Sequence, residues 1–271
     1  MSRYTLKVAI RDATMPADKI EKAIYLQDTP KAASDIFTRV YFGTEFCERL
    51  IPSVLTTKSI LNFIKRKGKK LTFLTPYCTN YGIEKLKRVL GILPIGTEVV
   101  FNDLGVFRMA MDIKNKKFDP VLGRLLVKYK RDPRFNRLLL NKGVKKYFMS
   151  SNINNTIFQQ YLVTNGFKRI EIENSLQGYN FVLCRDIHSS LYYPYTYITT
   201  TTSCIFKKNT RLPGCNFACK DSVMLSRIKQ LPIEIITRGN TEYYRNPELP
   251  AKTMLKKRNI DRIVFFPRLP Y

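Results

Sequence analysis

Cys204, Cys215 and Cys219 lie within sixteen residues of one stretch, TTSCIFKKNTRLPGCNFACKDSV, and the rest of the 271-residue chain holds three more cysteines. Thiolates grouped this closely are soft ligands for zinc or for an iron–sulfur cluster. The spacing, ten residues and then three, is neither the bacterial ferredoxin run nor a zinc-ribbon pair. Pro213 and Gly214 predict a tight turn just before Cys215. Lys207, Lys208, Arg211 and Lys220 surround the group, and positive charge lowers thiol pKa and favours anionic thiolate centres. Two of the three thiols fall in a polar loop, which argues against a packing role. A four-ligand centre needs one more donor, and Cys47, Cys78, Cys184 and the single histidine, His188, can each supply it.

Hydrolytic chemistry has little to work with here. The chain carries one His and neither H-E-x-x-H nor G-x-S-x-G, and no Ser or Cys stands beside an obvious base. A Cys47–His188 dyad requires that Cys47 be free of metal.

Strands and helices must bring such residues together. Runs of β-branched and aromatic residues predict strands over 5–10, 39–43, 71–77, 97–103, 145–150, 168–173, 179–184, 233–237 and 262–266. Helical spacing appears over 83–93 and 154–167, the second starting at Asn154 and ending at Gly166. Strands alternating with helices predict βαβ units and a parallel sheet. The expected fold is α/β, a (β/α)8 barrel, irregular in places, forming a single domain over 1–271 with a metal-binding cysteine loop at 203–220. Barrel sites sit at the C-terminal ends of the strands. That rim should therefore carry Glu45 and Cys47, Cys78, Asn102 and Asp103, Glu173, and Cys184, Arg185 and His188.

The formal charge of +26 favours polyanionic partners such as RNA, an acidic protein or an anionic lipid surface. The charge is dispersed over runs at Lys65–Lys70, Lys114–Lys117 and Lys256–Arg258, which read as solvated helix faces. A barrel scatters such runs over its outer wall, which favours a small-molecule or protein partner over a threaded polyanion. No run of eighteen apolar residues marks a membrane span, and MSRYTLKVAIRDATMP lacks a signal-peptide core. A cytoplasmic protein with reduced thiols is expected.

Several blocks resemble peptidase family U32, the collagenase-like group, and most closely its small members in oxygen-independent ubiquinone hydroxylation. RVYFGTEFCERL is similar to that group's Y-L-G-E segment followed by Cys. VVFNDLGVFRM is similar to its S-D-L-G-V segment, and SLYYPYTYITTTTSC to its approach to the second cysteine. RLPGCNFACK is similar to its paired cysteines, and DRIVFFP to its last strand. The blocks run from about residue 38 to 267. The resemblance implies a 4Fe-4S cluster on Cys47, Cys204, Cys215 and Cys219, with zinc as the alternative, and leaves Cys78 and Cys184 as non-ligands. It implies a subunit of an oxygen-independent hydroxylation or related redox reaction, working beside a homologous partner subunit on a small molecule. Asp103, Glu173 and Arg124 are expected to line its pocket. Larger relatives hydroxylate RNA bases, so an RNA-modifying or RNA-binding member is the alternative, and proteolysis the remaining one. The sequence departs from the family pattern at Thr202-Ser203, where Ala-Arg is usual, and in its strongly basic charge.

Overall fold

The structure, a computed structural model, describes residues 20–27, 36–115, 117–136, 138, 140–207, 215–229, 231 and 233–269. Eight parallel strands close a barrel in the order β1 (Glu21–Leu26), β2 (Arg39–Gly43), β3 (Lys70–Thr75), β4 (Glu98–Phe101), β5 (Asp119–Leu122), β6 (Arg169–Glu173), β7 (His188–Tyr193) and β12 (Ile260–Phe265). Helices α1 (Val54–Arg66), α2 (Asn80–Leu90) and α3 (Leu104–Met111) join successive strands from β2 to β5. Helices α4 (Lys142–Phe148) and α5 (Thr156–Thr164) lie between β5 and β6, and α6 (Lys252–Lys257) precedes β12. The expected (β/α)8-type barrel is therefore what the chain forms. Between β7 and α6 the chain leaves the barrel to build a four-stranded antiparallel sheet, β8 (Tyr195–Thr200), β9 (Met224–Arg227), β10 (Glu234–Arg238) and β11 (Thr241–Arg245), in the order β8-β11-β10-β9.

Period-two alternation builds both faces of the barrel wall. On β2, Val40 and Phe42 turn outward into the layer shared with Ile60 and Phe63 of α1, while Tyr41 turns inward. Inside, Ala23, Tyr41, Leu74, Val100, Val121, Tyr192 and Val264 form a thin apolar layer. Below it, at the N-terminal ends of the strands, Arg39 and Arg262 bridge Glu21 and Glu98, with Arg262 2.6 Å from each. Gly43 closes the top of β2 at a φ of +127°, and a Cβ there would meet the Leu74 carbonyl oxygen at 2.4 Å. Only glycine fits that approach.

Several expected elements differ. Residues 145–148 of the run over 145–150 belong to α4, because Asn141 caps that helix by accepting the Val144 N–H at 2.9 Å. Residues 179–184 form no strand. Their backbone groups are taken by side-chain amides instead: Val182 N–H donates to Asn154 Oδ1 and Cys184 N–H to Gln159 Oε1. The run over 233–237 becomes β10 of the added sheet rather than a barrel strand. The cap of α5 is Asn155, one residue beyond the expected Asn154, and its Oδ1 accepts the Phe158 N–H at 3.1 Å. The expected strand over 5–10 lies outside the described residues, and the strand next to β2 is β1.

Among the described residues no helix is long and apolar enough to cross a membrane.

Candidate metal and substrate site

A cavity of about 620 Å³ opens at the C-terminal end of the barrel, between the strand-end loops and the added sheet. The loops after β2, β3, β4 and β5 contribute Phe46 to Leu50, Tyr77, Thr79, Asn102, Leu125, Leu126 and Lys128. The added sheet contributes Thr200 to Cys204, Cys219, Gly239 and Asn240.

All of Cys47, Cys204, Cys215 and Cys219 line this cavity, and neither Cys78 nor Cys184 does. Cys47 sits just before a short 3-10 helix, Glu48–Leu50. Burial raises its thiol pKa, the backbone N–H groups of Arg49 and Leu50 oppose that rise, and the Cys215 and Cys204 thiols add to it. Burial first, and then the Cys204, Cys47 and Cys215 thiols, push Cys219 up to about 11. Cys47 and Cys219 thus each lie within electrostatic reach of Cys204 and Cys215, and a positive centre would relieve the repulsion of gathering them as thiolates. All six cysteines are free. Among the described residues no three His, Cys, Asp or Glu side chains stand close enough to hold a metal ion. The donor set fits a thiolate-bound centre in number, softness and shared cavity. Within the Cys204–Cys219 segment, the predicted Pro213-Gly214 turn and the basic residues Lys208 and Arg211 lie outside the described residues.

Beneath the cavity floor lies a buried ion triad. Arg124, fully buried, donates from Nε and Nη2 to Glu45 (3.1 and 2.6 Å) and from Nη1 to Glu173 (2.8 Å). Phe46, Tyr192 and Phe266 place their rings 4.9, 4.0 and 5.2 Å from the guanidinium carbon. Such desolvated cation–π contacts, with two carboxylates, compensate the removal of the charge from water. Burial raises the Glu173 pKa, and Arg124 and Arg131 only partly offset it. Tyr192 also donates to Glu45 at 3.2 Å. The triad therefore fixes Glu45 and, through the next two residues, the Phe46-Cys47 corner.

Three residues expected in the pocket do not line it. Arg124 and Glu173 form its support from below, and Asp103 is the cap of α3, accepting N–H groups from Gly105 at 2.7 Å and Val106 at 3.1 Å. Its other oxygen accepts from the Cys78 backbone N–H. Asn102 is the residue of that pair that reaches the cavity. Its amide donates to Thr75 O and accepts from Leu125 N–H, joining the loops after β3, β4 and β5. Cys78 lies behind the Glu48 corner, and burial, with Glu48 and Asp103, pushes its thiol up to about 12.

Two placements are corrected outright. His188 is the first residue of β7, so it stands at the opposite end of the barrel, with Nδ1 2.9 Å from Asp261. Cys184 and Arg185 precede it at that same end, because the strand they were expected to terminate does not form.

The basic runs also lie away from the cavity. Lys65 and Arg66 end α1, and Lys256 and Lys257 end α6. Lys114 and Lys117 lie between α3 and β5. All three runs therefore precede the N-terminal ends of strands, where lysines also complement the helix dipoles. The cavity itself has Arg49, Lys128 and Lys207 against Glu48.

Sequence reasoning missed the residues Thr200, Thr201, Asn240 and Gly239 of the cavity wall. The Gly-Asn pair in TRGNTE is a two-residue hairpin signal that could have exposed them. No protein-family model matches this chain, and no curated protein matches it.

Proposed function

We propose that this chain is an iron–sulfur protein whose Cys47, Cys204, Cys215 and Cys219 hold a 4Fe-4S cluster in an oxygen-independent hydroxylation or related redox reaction. The resemblance to peptidase family U32 is part of that reading, and so are a homologous partner subunit and a small-molecule substrate. One observation carries it. Four cysteines spread from residue 47 to 219 open on one cavity, and the two cysteines outside the set do not. The cluster, when bound, supplies one-electron transfer. The chain's own residues do the rest. The Glu45–Arg124–Glu173 triad holds the Cys47 corner rigid, the N–H groups of Arg49 and Leu50 favour its thiolate, and Asn102 ties the adjacent loops. A cavity of about 620 Å³ suits a small molecule. Phe46, Leu125 and Tyr77 offer apolar contact, and Thr200, Thr201 and Asn240 offer hydrogen bonds.

The test is anaerobic purification followed by iron and sulfide analysis and visible absorption. Ser at Cys47, Cys204, Cys215 or Cys219 should cut iron content sharply, and Ser at Cys78 or Cys184 should leave it. Zinc without iron would replace the cluster by the mononuclear alternative. Retention of iron in Cys47→Ser with loss in Cys184→Ser would refute the ligand set.

A further inference from the structure

The cysteines of the cavity come from separate stretches: one after β2, one after β8, and two just before β9. Something must tie these stretches to one another. The turn between β10 and β11 touches all of them. Arg238 and Thr241 pair across it, so Gly239-Asn240 is a two-residue hairpin loop. Gly239 takes a φ of +64° at the first position, as a type II′ turn demands.

Asn240 stands at the centre. Its Nδ2 donates one hydrogen to Phe46 O at 2.7 Å, beside Cys47, and the other to Thr201 O at 2.6 Å, three residues before Cys204. Its backbone carbonyl accepts from Thr201 N–H at 3.0 Å and from Thr200 Oγ1 at 3.3 Å. Thr241 Oγ1 donates to its Oδ1 at 3.2 Å. Arg238, on the other side of the turn, is 8% exposed and donates to Cys219 O at 2.8 Å and to Lys220 O and Leu269 O at 2.5 Å each. Gly239 packs on Cys219, and a Cβ built there would lie 3.6 Å from the Cys219 Cβ.

We infer that the Arg238-Gly239-Asn240 turn is the positioning device of the cysteine site: Asn240 joins the Cys47 corner to the Cys204 strand, and Arg238 clamps Cys219 to both. The inference rests on the proposed thiolate centre for its purpose, and on the hydrogen bonds above for its geometry. A hairpin turn inside a sheet is a stiff anchor, whereas the loops bearing the cysteines are not, and ligand sites need such outer support to hold their geometry. The two N–H groups of Asn240 bridge segments 155 residues apart, from Phe46 to Thr201. No other side chain with the same reach can donate both bonds from one nitrogen except an amide or a cation.

Two measurements on the full reduced chain test this. Anaerobic titration with Co²⁺ reads thiolate binding by charge-transfer absorption. Asn240→Ala, and the isosteric Asn240→Asp, which loses both donors, should weaken Co²⁺ roughly 10–100-fold. Arg238→Lys should fall between these and the wild type. As a control, Asn174→Ala breaks bonds to Asn246 O and Glu248 O, away from the cavity lining. It should lower the melting temperature without changing Co²⁺ affinity. The second measurement needs no metal. Phenylarsine oxide bridges neighbouring thiols, and peptide mapping of the metal-free chain should show bridges joining Cys47, Cys204 and Cys219 that drop several-fold in Asn240→Asp. Equal Co²⁺ affinity and equal bridging in wild type and Asn240→Asp would overturn the inference, and so would an equal loss in Asn174→Ala. A wild-type chain that binds neither Co²⁺ nor iron, yet loses its bridges in Asn240→Asp, would refute the iron–sulfur reading and leave the positioning role standing.

Discussion

Glu171, fully buried on β6 inside the barrel, makes a pH-dependent stability that can be worked out in advance. Its Oε1 accepts from Tyr41 Oη at 2.9 Å, and its Oε2 has no hydrogen-bond partner among the described residues. The groups around it include Tyr41 and Tyr192, its cross-strand neighbour Ser190, the guanidiniums of Arg169 and Arg262, and the Glu98 carboxylate. Burial raises its pKa, Glu98 adds to the rise, and the two arginines and the Tyr41 hydrogen bond oppose it, leaving the carboxyl pushed from 4.5 up to about 8. A folded value above the unfolded one means the folded chain binds the proton more tightly. That contribution is complete below pH 4.5 and is lost as the pH rises through about 8. At about 1.4 kcal/mol per unit, rounding off near each end, the loss between pH 5 and pH 8 is roughly 3 kcal/mol. Glu171→Gln keeps the shape of the protonated acid and removes the titration. The wild type should therefore fall behind Glu171→Gln by roughly 3 kcal/mol over that range, a melting difference of about 10 °C for a chain of this size. Thermal unfolding of both proteins at several pH values measures it. Parallel curves for wild type and variant would show that Glu171 is ionised in the folded barrel and that the reasoning fails.

Removing the triad's cation in Arg124→Met should destabilise the fold by about 3–5 kcal/mol in urea unfolding, because Glu45 and Glu173 would remain buried and unpaired. Asp103→Ala should cost about 1 kcal/mol through loss of the α3 cap, while iron content per folded chain stays unchanged; a selective loss of iron would return Asp103 to the site. Total RNA in a filter-binding assay across a salt series should bind no differently when Arg49, Lys128 and Lys207 are neutralised together, since the basic runs lie at the far end of the barrel. Tight binding with a steep salt slope that this triple change abolishes would favour the RNA reading.

The wall of the barrel was legible where period-two alternation is strong. RVYFG coincides with β2, KRIEIE overlaps β6, and RIVFF overlaps β12. Where a strand is short or polar the pattern fails. Asp119–Leu122 opens on Asp-Pro, and His188–Tyr193 carries two serines because Ser190 turns inward to the Tyr41 hydroxyl. Conversely, the aromatic runs at 145–150 and 179–184 look like strands, but a helix cap takes one and side-chain amides take the other.

By itself, the sequence determined the alternation of strands and helices, the thiols available, and the absence of a hydrolase motif. Tertiary structure alone decided the rest. It put Arg124 and Glu173 beneath the cavity instead of in it, because a guanidinium between two carboxylates satisfies the charges that the barrel interior removes from water. It turned Asp103 into a cap and sent His188 to the far rim, since a residue's rim depends on whether it begins or ends its strand. It joined Phe46, beside Cys47, to Thr201, three residues before Cys204, through Asn240, a residue 194 positions from one and 39 from the other. No local spacing records such a contact, because hydrogen bonds between distant segments form only once the barrel has closed and the added sheet has packed on its mouth.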